Sequence, residues 1–110
     1  MTRTQLLVII PTYNERKNLL PLVNSVQDAL STADILIVDD NSPDGTGDIA
    51  TERASRDTKV HVLHRSKKNG LGEAYVAGFR WALKHHYSHI FQIDADFSHD
   101  PATLPNLLEA

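Results

Sequence analysis

The sequence predicts an α/β fold in which helices cover both faces of a parallel sheet. Short aliphatic runs alternate with segments whose apolar residues recur every three or four positions, as strands and helices do when they alternate along a chain. The aliphatic runs are continuous, which is typical of strands buried on both faces. Clusters of acidic and turn-forming residues follow them. We therefore expect the order β-α-β-α-β-α-β-α within a single domain, residues 1–110.

Four runs are predicted as strands. The first is stopped by Pro11, and the second leads into a cluster of turn formers that carries three carboxylates. The third run is shorter and more polar than the others, so we place it near an edge of the sheet. The predicted strands comprise residues 6–10, 35–38, 60–64 and 90–93.

Three complete helices and the start of a fourth are predicted between and after these strands. The first begins after Asn18, its predicted N-cap, and can hold Pro21 only in its first turn. The second spans about residues 46–56 with Ile49 and Ala50 inward, and the fourth begins at residues 101–108. The third helix has the strongest pattern, and its predicted inward face comprises Leu71, Ala74, Tyr75, Gly78, Ala82 and Leu83.

Composition excludes several classes of protein. A net charge of −3 over 110 residues argues against a nucleic-acid-binding protein, which needs a clustered excess of cations. The absence of cysteine excludes disulfides and thiolate metal sites. No apolar run approaches the roughly 18 residues that span a bilayer, and the start of the chain does not resemble a signal peptide. We expect a soluble chain that is still able to work at a membrane surface.

Polar segments follow strands one, two and four, at residues 12–15, 39–44 and 94–100. Because the carboxyl ends of parallel strands share one edge of a sheet, these segments should line a common crevice. Asp94 and Asp96 lie one residue apart and can present oxygens to a hard divalent cation, with water and phosphate oxygens as further ligands. A solvated acidic turn is the alternative. The convergence of three polar segments favours a site that binds metal and phosphate more than Asp94 and Asp96 would on their own. The metal site and the solvated turn both stay open.

Two glycine motifs have weaker support. Residues 45–50 match the dinucleotide fingerprint G-x-G-x-x-A, but the motif does not follow the first strand directly and three carboxylates would repel a pyrophosphate. We reject a dinucleotide site there. Gly70 and Gly72, beside Lys67 and Lys68, could hold an anion at a helix N-terminus or could be ordinary loop glycines.

Histidines and aromatic residues leave further alternatives open. The cluster His85, His86 and His89 is more typical of a solvated helix end than of a metal site, whereas His99 lies close to the acid pair. Tyr13 could stack on a base or cover the sheet edge. We predict packing or a partner-facing patch, and not a cofactor contact, for Phe79 and Trp81.

Four segments resemble the successive signatures of one family. They read VIIPTYNER at residues 8–16, IVDDNSPDGT at residues 37–46, NGLGEAY at residues 69–75 and DADFSH at residues 94–99. In this order they are similar to the motifs of the family 2 GT-A glycosyltransferases, in particular the dolichol-phosphate (polyprenol-phosphate) mannose synthases. The four motifs occur in the same order and are spread over nearly the whole chain, from residue 8 to residue 99, so the resemblance is highly specific.

The resemblance implies a GT-A, nucleotide-diphospho-sugar transferase fold and an activity. The expected reaction transfers mannose from GDP-mannose to a polyprenyl phosphate of the dolichyl type, with inversion at the anomeric carbon and Mg²⁺ or Mn²⁺ as cofactor. The expected location is the cytoplasmic face of a membrane, which parts of the protein outside this chain would contact. Members of the family are considerably longer than this chain, so we expect the chain to be the N-terminal, donor-binding part of the catalytic domain.

The resemblance also implies roles for individual residues. Asp94 and Asp96 would hold the metal and the donor diphosphate, and Asp96 would be the catalytic residue. Ala95 would line the donor pocket with Ser98 nearby. The base and ribose would contact Pro11, Tyr13, Glu15, Val38 and Asp40.

Three alternatives are weighed against this interpretation. A transferase acting on a UDP-sugar and undecaprenyl phosphate would keep the class of enzyme but change both substrates. A non-catalytic fragment would bind nucleotide without transfer. A phospho-receiver domain has the same alternation and clustered aspartates, but it needs an acid pair after the first strand and a lysine after a fifth strand, and neither feature is present.

Overall fold

A computed structural model describes residues 5–66 and 71–93 of the chain. These residues form four strands and three helices in strict alternation, as the sequence predicts. Asp94, Ala95, Asp96, Ser98 and His99 lie outside the described residues, as do Lys67, Lys68, Gly70 and the predicted fourth helix. The elements are β1 Leu6–Thr12, α1 Leu19–Ala29, β2 Asp34–Asp39, α2 Thr46–Arg56, β3 Val60–His64, α3 Leu71–Lys84 and β4 His89–Gln92.

The described strands form one parallel sheet in the order β3-β2-β1-β4. β1 is central and all seven of its residues are buried, because its aliphatic run packs on both faces. It does not stop at Pro11 as predicted, since Pro11 pairs with Val38 and Thr12 with Asp39. Between β1 and β4 the direction of chain progression reverses, which is where open α/β sheets bind ligands. β3 lies at an edge of this four-stranded sheet, as its short and polar sequence predicts.

Helices cover both faces of the sheet. Alternate residues of β1 point to opposite faces, and Val8 belongs to one core and Ile9 to the other. The first core packs β1 and β2 against α1 and α2, and the second packs them against α3. The predicted arrangement of a parallel sheet between two layers of helix is therefore confirmed.

The start of α1 is where the sequence predicts it, but the capping hydrogen bonds differ from those expected of an Asn N-cap. Asn18 is the N-cap by position and Pro21 lies in the first turn, where a missing N–H costs nothing. The Asn18 side chain does not cap the helix; its Nδ2 donates to Glu15 Oε2 over 3.1 Å. The first turn is closed instead by the Glu15 carbonyl, which accepts from the N–H groups of Asn18 and Leu19.

The inward face of α3 is narrower than predicted. Ala74 and Ala82 are buried in the second core, and Gly78 lies so close to β1 that an added Cβ would be 2.9 Å from Ile9 Cγ2. Leu83, however, is 69 % exposed, so its predicted inward placement is wrong. The reason is geometric, because each helical residue turns about 100° from the one before it and Leu83 follows the buried Ala82 directly.

Trp81 packs, as predicted. Its ring is half-buried against the second core and stacks on His85, with ring centroids 4.0 Å apart. Phe79 is 39 % exposed on the same helix, so it does not share this packing. β4 also differs slightly from the prediction, since it spans His89–Gln92 and Ile93 follows it as a buried residue.

Candidate functional site

The carboxyl ends of β1 and β2 bring together two of the three predicted polar segments. In the parallel register Pro11 pairs with Val38 and Thr12 with Asp39, and the Asp40 N–H donates to the Thr12 carbonyl over 3.1 Å. The loops beyond are joined as well, since the Asn14 N–H donates to Ser42 Oγ over 3.0 Å. The predicted crevice edge therefore forms from residues of both strands.

Asp39 is a structural clamp between these loops. Its carboxylate is buried and accepts hydrogen bonds from Thr12 Oγ1 at 2.7 Å, Ser42 Oγ at 2.6 Å and the Ser42 N–H at 3.0 Å. Three donors satisfy most of the acceptor capacity of a carboxylate. Asp39 consequently holds the loops in place and has little capacity left for a ligand.

Asp44 ties the start of α2 to the loop after β1, from the position before the N-cap Gly45. Its carboxylate accepts from the N–H and the hydroxyl of Thr46 and from the Arg16 N–H. The hydrogen bond from the Thr46 hydroxyl, followed by those from the two backbone N–H groups, lowers the pKa of Asp44 below its usual value of 3.8. Gly45 precedes the helix with a φ of 90°, which glycine adopts without strain.

The glycines of the rejected dinucleotide motif have a packing role. Gly47 lies in the first turn of α2 against the Asp39 clamp, where an added Cβ would be 2.9 Å from Asp39 Oδ2 and 3.4 Å from the His64 ring. Ala50, the last residue of the motif, is fully buried in the first core. The pattern therefore follows from the close approach of α2 to the end of β2.

Glu15 lies beside an open cavity of about 360 Å³. Its backbone N–H donates to Thr46 Oγ1 over 3.1 Å, which fixes the loop that carries it. Asn18 Nδ2 donates to one of its carboxylate oxygens. Because a carboxylate can accept several hydrogen bonds, Glu15 keeps acceptor capacity that faces the cavity. The cavity is lined by Asn14, Glu15, Arg16, Lys17, Asn18 and Asp44.

Asp40 points to the opposite face of the sheet from Asp39 and is paired with a cation. Its buried carboxylate lies 3.2 Å from Arg65 Nη1, and Arg65 Nη2 lies 3.2 Å from Glu73 Oε2. Burial raises the pKa of Asp40 above its usual value of 3.8, Arg65 opposes this rise, and the charges of Asp39 and Glu73 add to it. Arg65 therefore supports the ionised form of Asp40.

Arg65 was not among the residues singled out from the sequence. The predicted crevice used the polar segments after strands one, two and four and left out the end of strand three. Arg65 is the first residue after β3 and its N–H donates to the Asp39 carbonyl over 2.8 Å, so it lies on the same edge. The sequence feature that could have identified Arg65 is a cation placed directly after a predicted strand, at a sheet edge rich in carboxylates.

The other predicted contacts differ in exposure. The side chains of Pro11 and Val38 are buried, and Val38 packs beside Gly78 of α3. Both residues are buried as a whole, and Val38 is paired with β1 on one side and with β3 on the other. Tyr13, just beyond β1, is 37 % exposed and lies at the surface of the edge.

The path of the chain into the predicted acid pair is defined up to Ile93. The Ile93 N–H donates to the Ile9 carbonyl over 3.0 Å, so the last described residue lies beside the carboxyl half of β1. Asp94 follows directly in the sequence. The end of β4 is thus adjacent to the strand that carries Pro11 and leads into Tyr13.

Within residues 5–66 and 71–93, no group of three or more acidic, histidine or cysteine side chains could hold a metal ion. Two of the nearby carboxylates, Asp39 and Asp44, are occupied by hydrogen bonds, and Asp40 is paired with Arg65. His85, His86 and His89 are exposed, as predicted for a solvated helix end, and His85 stacks on Trp81 with its Nδ1 2.8 Å from the Trp81 carbonyl oxygen. In this part of the chain, no helix is both long enough and apolar enough to cross a membrane.

Comparison with known proteins gives consistent results. Over 106 residues the chain is 55 % identical to the undecaprenyl-phosphate mannosyltransferase of Micrococcus luteus. This alignment covers 96 % of this chain and 44 % of that protein. It is also 55 % identical over 105 residues to the polyprenol monophosphomannose synthase of Mycolicibacterium smegmatis, covering 94 % of this chain and 40 % of the relative. The chain therefore spans less than half the length of these relatives.

Among solved structures, the chain resembles the mannosyltransferase PcManGT of Pyrobaculum calidifontis, which was solved in complex with GDP-Man and Mn²⁺. The TM-score is 0.68 at 23 % identity, over 86 % of this chain and 28 % of the other. At this identity the likeness shows the fold alone, and the predicted fold class is confirmed. The model of the family Glycosyl transferase family 2 matches residues 7–110, nearly the whole chain, and the protein belongs to that family.

Proposed function

We propose that this chain is the donor-binding part of a glycosyltransferase that transfers mannose from GDP-mannose to a polyprenyl phosphate. The observation that carries the proposal is the 55 % identity, over nearly all of the chain, to relatives named as an undecaprenyl-phosphate mannosyltransferase and a polyprenol monophosphomannose synthase. Residues 1–110 would form one nucleotide-sugar-binding unit. The clustering of acceptor groups at one edge of the sheet is consistent with this role.

The nucleoside would be bound by the described edge. Glu15 and Asp40 carry carboxylate oxygens able to accept hydrogen bonds from base N–H or ribose O–H groups. Tyr13 is exposed at the same edge and can cover the base by stacking. Pro11 and Val38 would support the site from within the sheet, since both residues are buried there.

The donor diphosphate would lie at the end of β4. Asp94 and Asp96 would hold a divalent cation, Mg²⁺ or Mn²⁺, with Ala95 and Ser98 beside it and Asp96 as the catalytic residue. Carboxylate oxygens suit both cations, and the presence of Mn²⁺ with GDP-Man in the structural neighbour supports divalent metal use. When bound, the cation would stabilise the negative charge that develops on the leaving diphosphate.

The acceptor chemistry requires little from the described residues. A phosphate monoester with a second pKa near 6 is largely ionised at neutral pH, so it can attack the anomeric carbon without a strong general base. Attack from the side opposite the leaving diphosphate gives inversion. The acceptor is a lipid, so the reaction would take place at a membrane surface, on its cytoplasmic face, through parts of the protein outside this chain.

Nucleotide binding tests the donor assignment. Calorimetric titration of the chain with GDP, GDP-mannose, UDP and UDP-glucose, each with Mn²⁺, should show GDP binding about tenfold or more tighter than UDP, because matched hydrogen bonds discriminate bases. Tighter binding of UDP would overturn the mannose donor and favour the UDP-sugar alternative.

Substitution tests the metal assignment. Asp96→Asn should remove the dependence of GDP-mannose binding on Mn²⁺, because one of the two metal-binding carboxylates is lost. Asp48→Asn is the matched control, since Asp48 is an exposed carboxylate on α2 and its loss should leave binding unchanged. Metal-dependent binding that survives in Asp96→Asn would contradict the assignment.

A transfer assay tests the activity itself. It uses labelled GDP-mannose and a short polyprenyl phosphate, with the M. luteus relative as the positive control. Formation of mannosyl lipid by the chain would establish the full reaction. Binding of GDP-mannose without any transfer would favour the alternative of a non-catalytic binding fragment.

A further inference from the structure

Arg65 lies beside Asp40, and within the described residues Asp40 is the one predicted nucleotide contact that its side chain touches. Its N–H donates to the Asp39 carbonyl over 2.8 Å, which extends the pairing of β2 and β3 by one residue. The Arg65 side chain then lies on the α3 side of the sheet, next to Asp40. Backbone pairing therefore fixes where this side chain begins.

The guanidinium joins two elements. Arg65 Nη1 lies 3.2 Å from Asp40 Oδ1 and 3.5 Å from Oδ2, and Nη2 lies 3.2 Å from Glu73 Oε2 in the first turn of α3. The side chains of Arg65 and Asp40 are only 15 % and 7 % exposed, whereas that of Glu73 is 61 % exposed. The strong contact is the buried one with Asp40, and Glu73 holds the outer end of the guanidinium.

The contact leaves Asp40 able to bind a ligand. Among the described residues, Arg65 is the one side chain that donates a hydrogen bond to the Asp40 carboxylate, and it does so through a single nitrogen. An ionised carboxylate has about four acceptor positions, so several remain. Asp39, by contrast, accepts from three donors inside the fold.

We propose that Arg65 is a positioning residue for nucleotide binding, which keeps the Asp40 carboxylate ionised and oriented toward the nucleoside. This inference rests on the proposed function, because it takes Asp40 as a nucleotide contact. An ionised carboxylate that is 7 % exposed and has no cation beside it would lower the stability of the fold, and the Arg65 guanidinium offsets this loss. The planar guanidinium also limits rotation of the carboxylate. Lysine would supply charge but not the planar contact that spans Asp40 and Glu73.

Calorimetry with GDP and Mn²⁺ provides the main test. We expect Arg65→Ala to weaken GDP binding by about tenfold to a hundredfold, with Asp40→Asn similar, because a buried pair loses one partner in each. The double variant should bind no more weakly than Asp40→Asn, since both changes remove the same interaction. Arg65→Lys should recover part of the loss. Additive effects in the double variant, or unchanged affinity in Arg65→Ala, would overturn the proposal.

A matched control separates positioning from stability. Arg53 and Asp57 form a second half-buried pair at the C-terminal end of α2, with Arg53 Nε 3.4 Å from Asp57 Oδ2 and exposures of 21 % and 23 %. Arg53→Ala should lower the urea midpoint of unfolding to a similar extent as Arg65→Ala but leave GDP affinity within about twofold. An equal loss of GDP affinity in both variants would show a general effect of stability and would overturn the proposal.

A second measurement does not depend on nucleotide. Carbon-detected NMR titration of the Asp40 carboxyl, without ligand, should show a higher pKa in Arg65→Ala than in the unsubstituted chain, because Arg65 is the cation beside a carboxyl whose pKa is also raised by the charges of Asp39 and Glu73. An unchanged pKa would overturn the inference whatever GDP does. If the unsubstituted chain binds no GDP while the Asp40 pKa shifts as expected, the proposed function fails and the link between Arg65 and Asp40 stands.

Discussion

The two sides of the end of β2 use the same acidic side chain in opposite ways. On the α2 side, Asp39 and Asp44 accept hydrogen bonds from hydroxyl and backbone N–H groups, and the loops close around them. On the α3 side, Asp40 is held by the guanidinium of Arg65. Because successive residues of a strand face opposite sides, an Asp-Asp dipeptide supplies both arrangements. Neutral donors hold the loops on one side, and on the other a charged partner holds a carboxylate with unused acceptor positions.

The largest expected effect on this contrast is the loss of the clamp. Asp39→Ala leaves the Thr12 hydroxyl and the Ser42 N–H without their buried acceptor, so we expect the free energy of unfolding to fall by about 3 kcal/mol. Urea denaturation followed by circular dichroism measures it. Asp48→Ala, at an exposed position of α2, should change stability by less than about 0.5 kcal/mol. A clamp variant as stable as this control would remove the distinction between the two sides.

A smaller effect is expected where α2 approaches the clamp. Gly47→Ala places a Cβ 2.9 Å from Asp39 Oδ2 and should destabilise the fold by about 1 to 3 kcal/mol, as overpacking does. Gly72→Ala makes the same chemical change in α3, where the new Cβ would have no atom of the described residues within 4 Å beyond its own helix, so we expect it to be neutral or to stabilise by up to about 1 kcal/mol. Thermal unfolding of both variants compares them. Equal effects would show that α2 is not closely packed there.

The smallest expected effect is a difference in pH dependence. The pKa of Asp44 is lowered in the folded chain, so its stabilisation is present at neutral pH and is lost as the pH falls through its folded-state pKa. The pKa of Asp40 is raised in the folded chain, so ionised Asp40 lowers the stability of the fold at neutral pH. This loss of stability disappears when Asp40 is protonated at low pH.

The two asparagine variants should therefore change with pH in opposite directions. From about pH 7 to about pH 3, the loss of stability caused by Asp44→Asn should shrink, and the effect of Asp40→Asn should become relatively more unfavourable. Urea midpoints across this range measure both. Parallel pH profiles would contradict the assignment of opposite environments to the two carboxyl groups.

The fold was largely predictable because its strands are mostly continuous aliphatic runs followed by turn-forming residues. The turn formers after Val38 marked the end of β2 to within one residue, and Asn18 marked the start of α1. Pro11 did not end β1, because it pairs with Val38 and the strand continues to Thr12. Leu83 was placed wrongly because a pattern of threes and fours tolerates a residue at the margin of a helical face. Only packing decides on which side of the margin such a residue falls.

The candidate site was less predictable than the fold. Topology alone brought residues 12–15 and 39–44 to one edge, as expected. The sequence could not show that Asp39 and Asp44 are consumed by local hydrogen bonds, because that depends on the positions of Thr12, Ser42 and Thr46 in space. Arg65 was missed because its relation to Asp40 arises from pairing between β2 and β3.

The central place of β1 has a consequence for the way the chain folds. One edge of β1 pairs with the next strand in sequence, but the other waits for β4, and the contact of Gln5 with Ser88 beside it joins residues 83 positions apart. During synthesis the most apolar strand therefore carries an open edge until the end of β4 has emerged. Such distant pairing is slow, so closure by β4 is expected to be late, and the unfinished sheet is the form most prone to edge-to-edge aggregation.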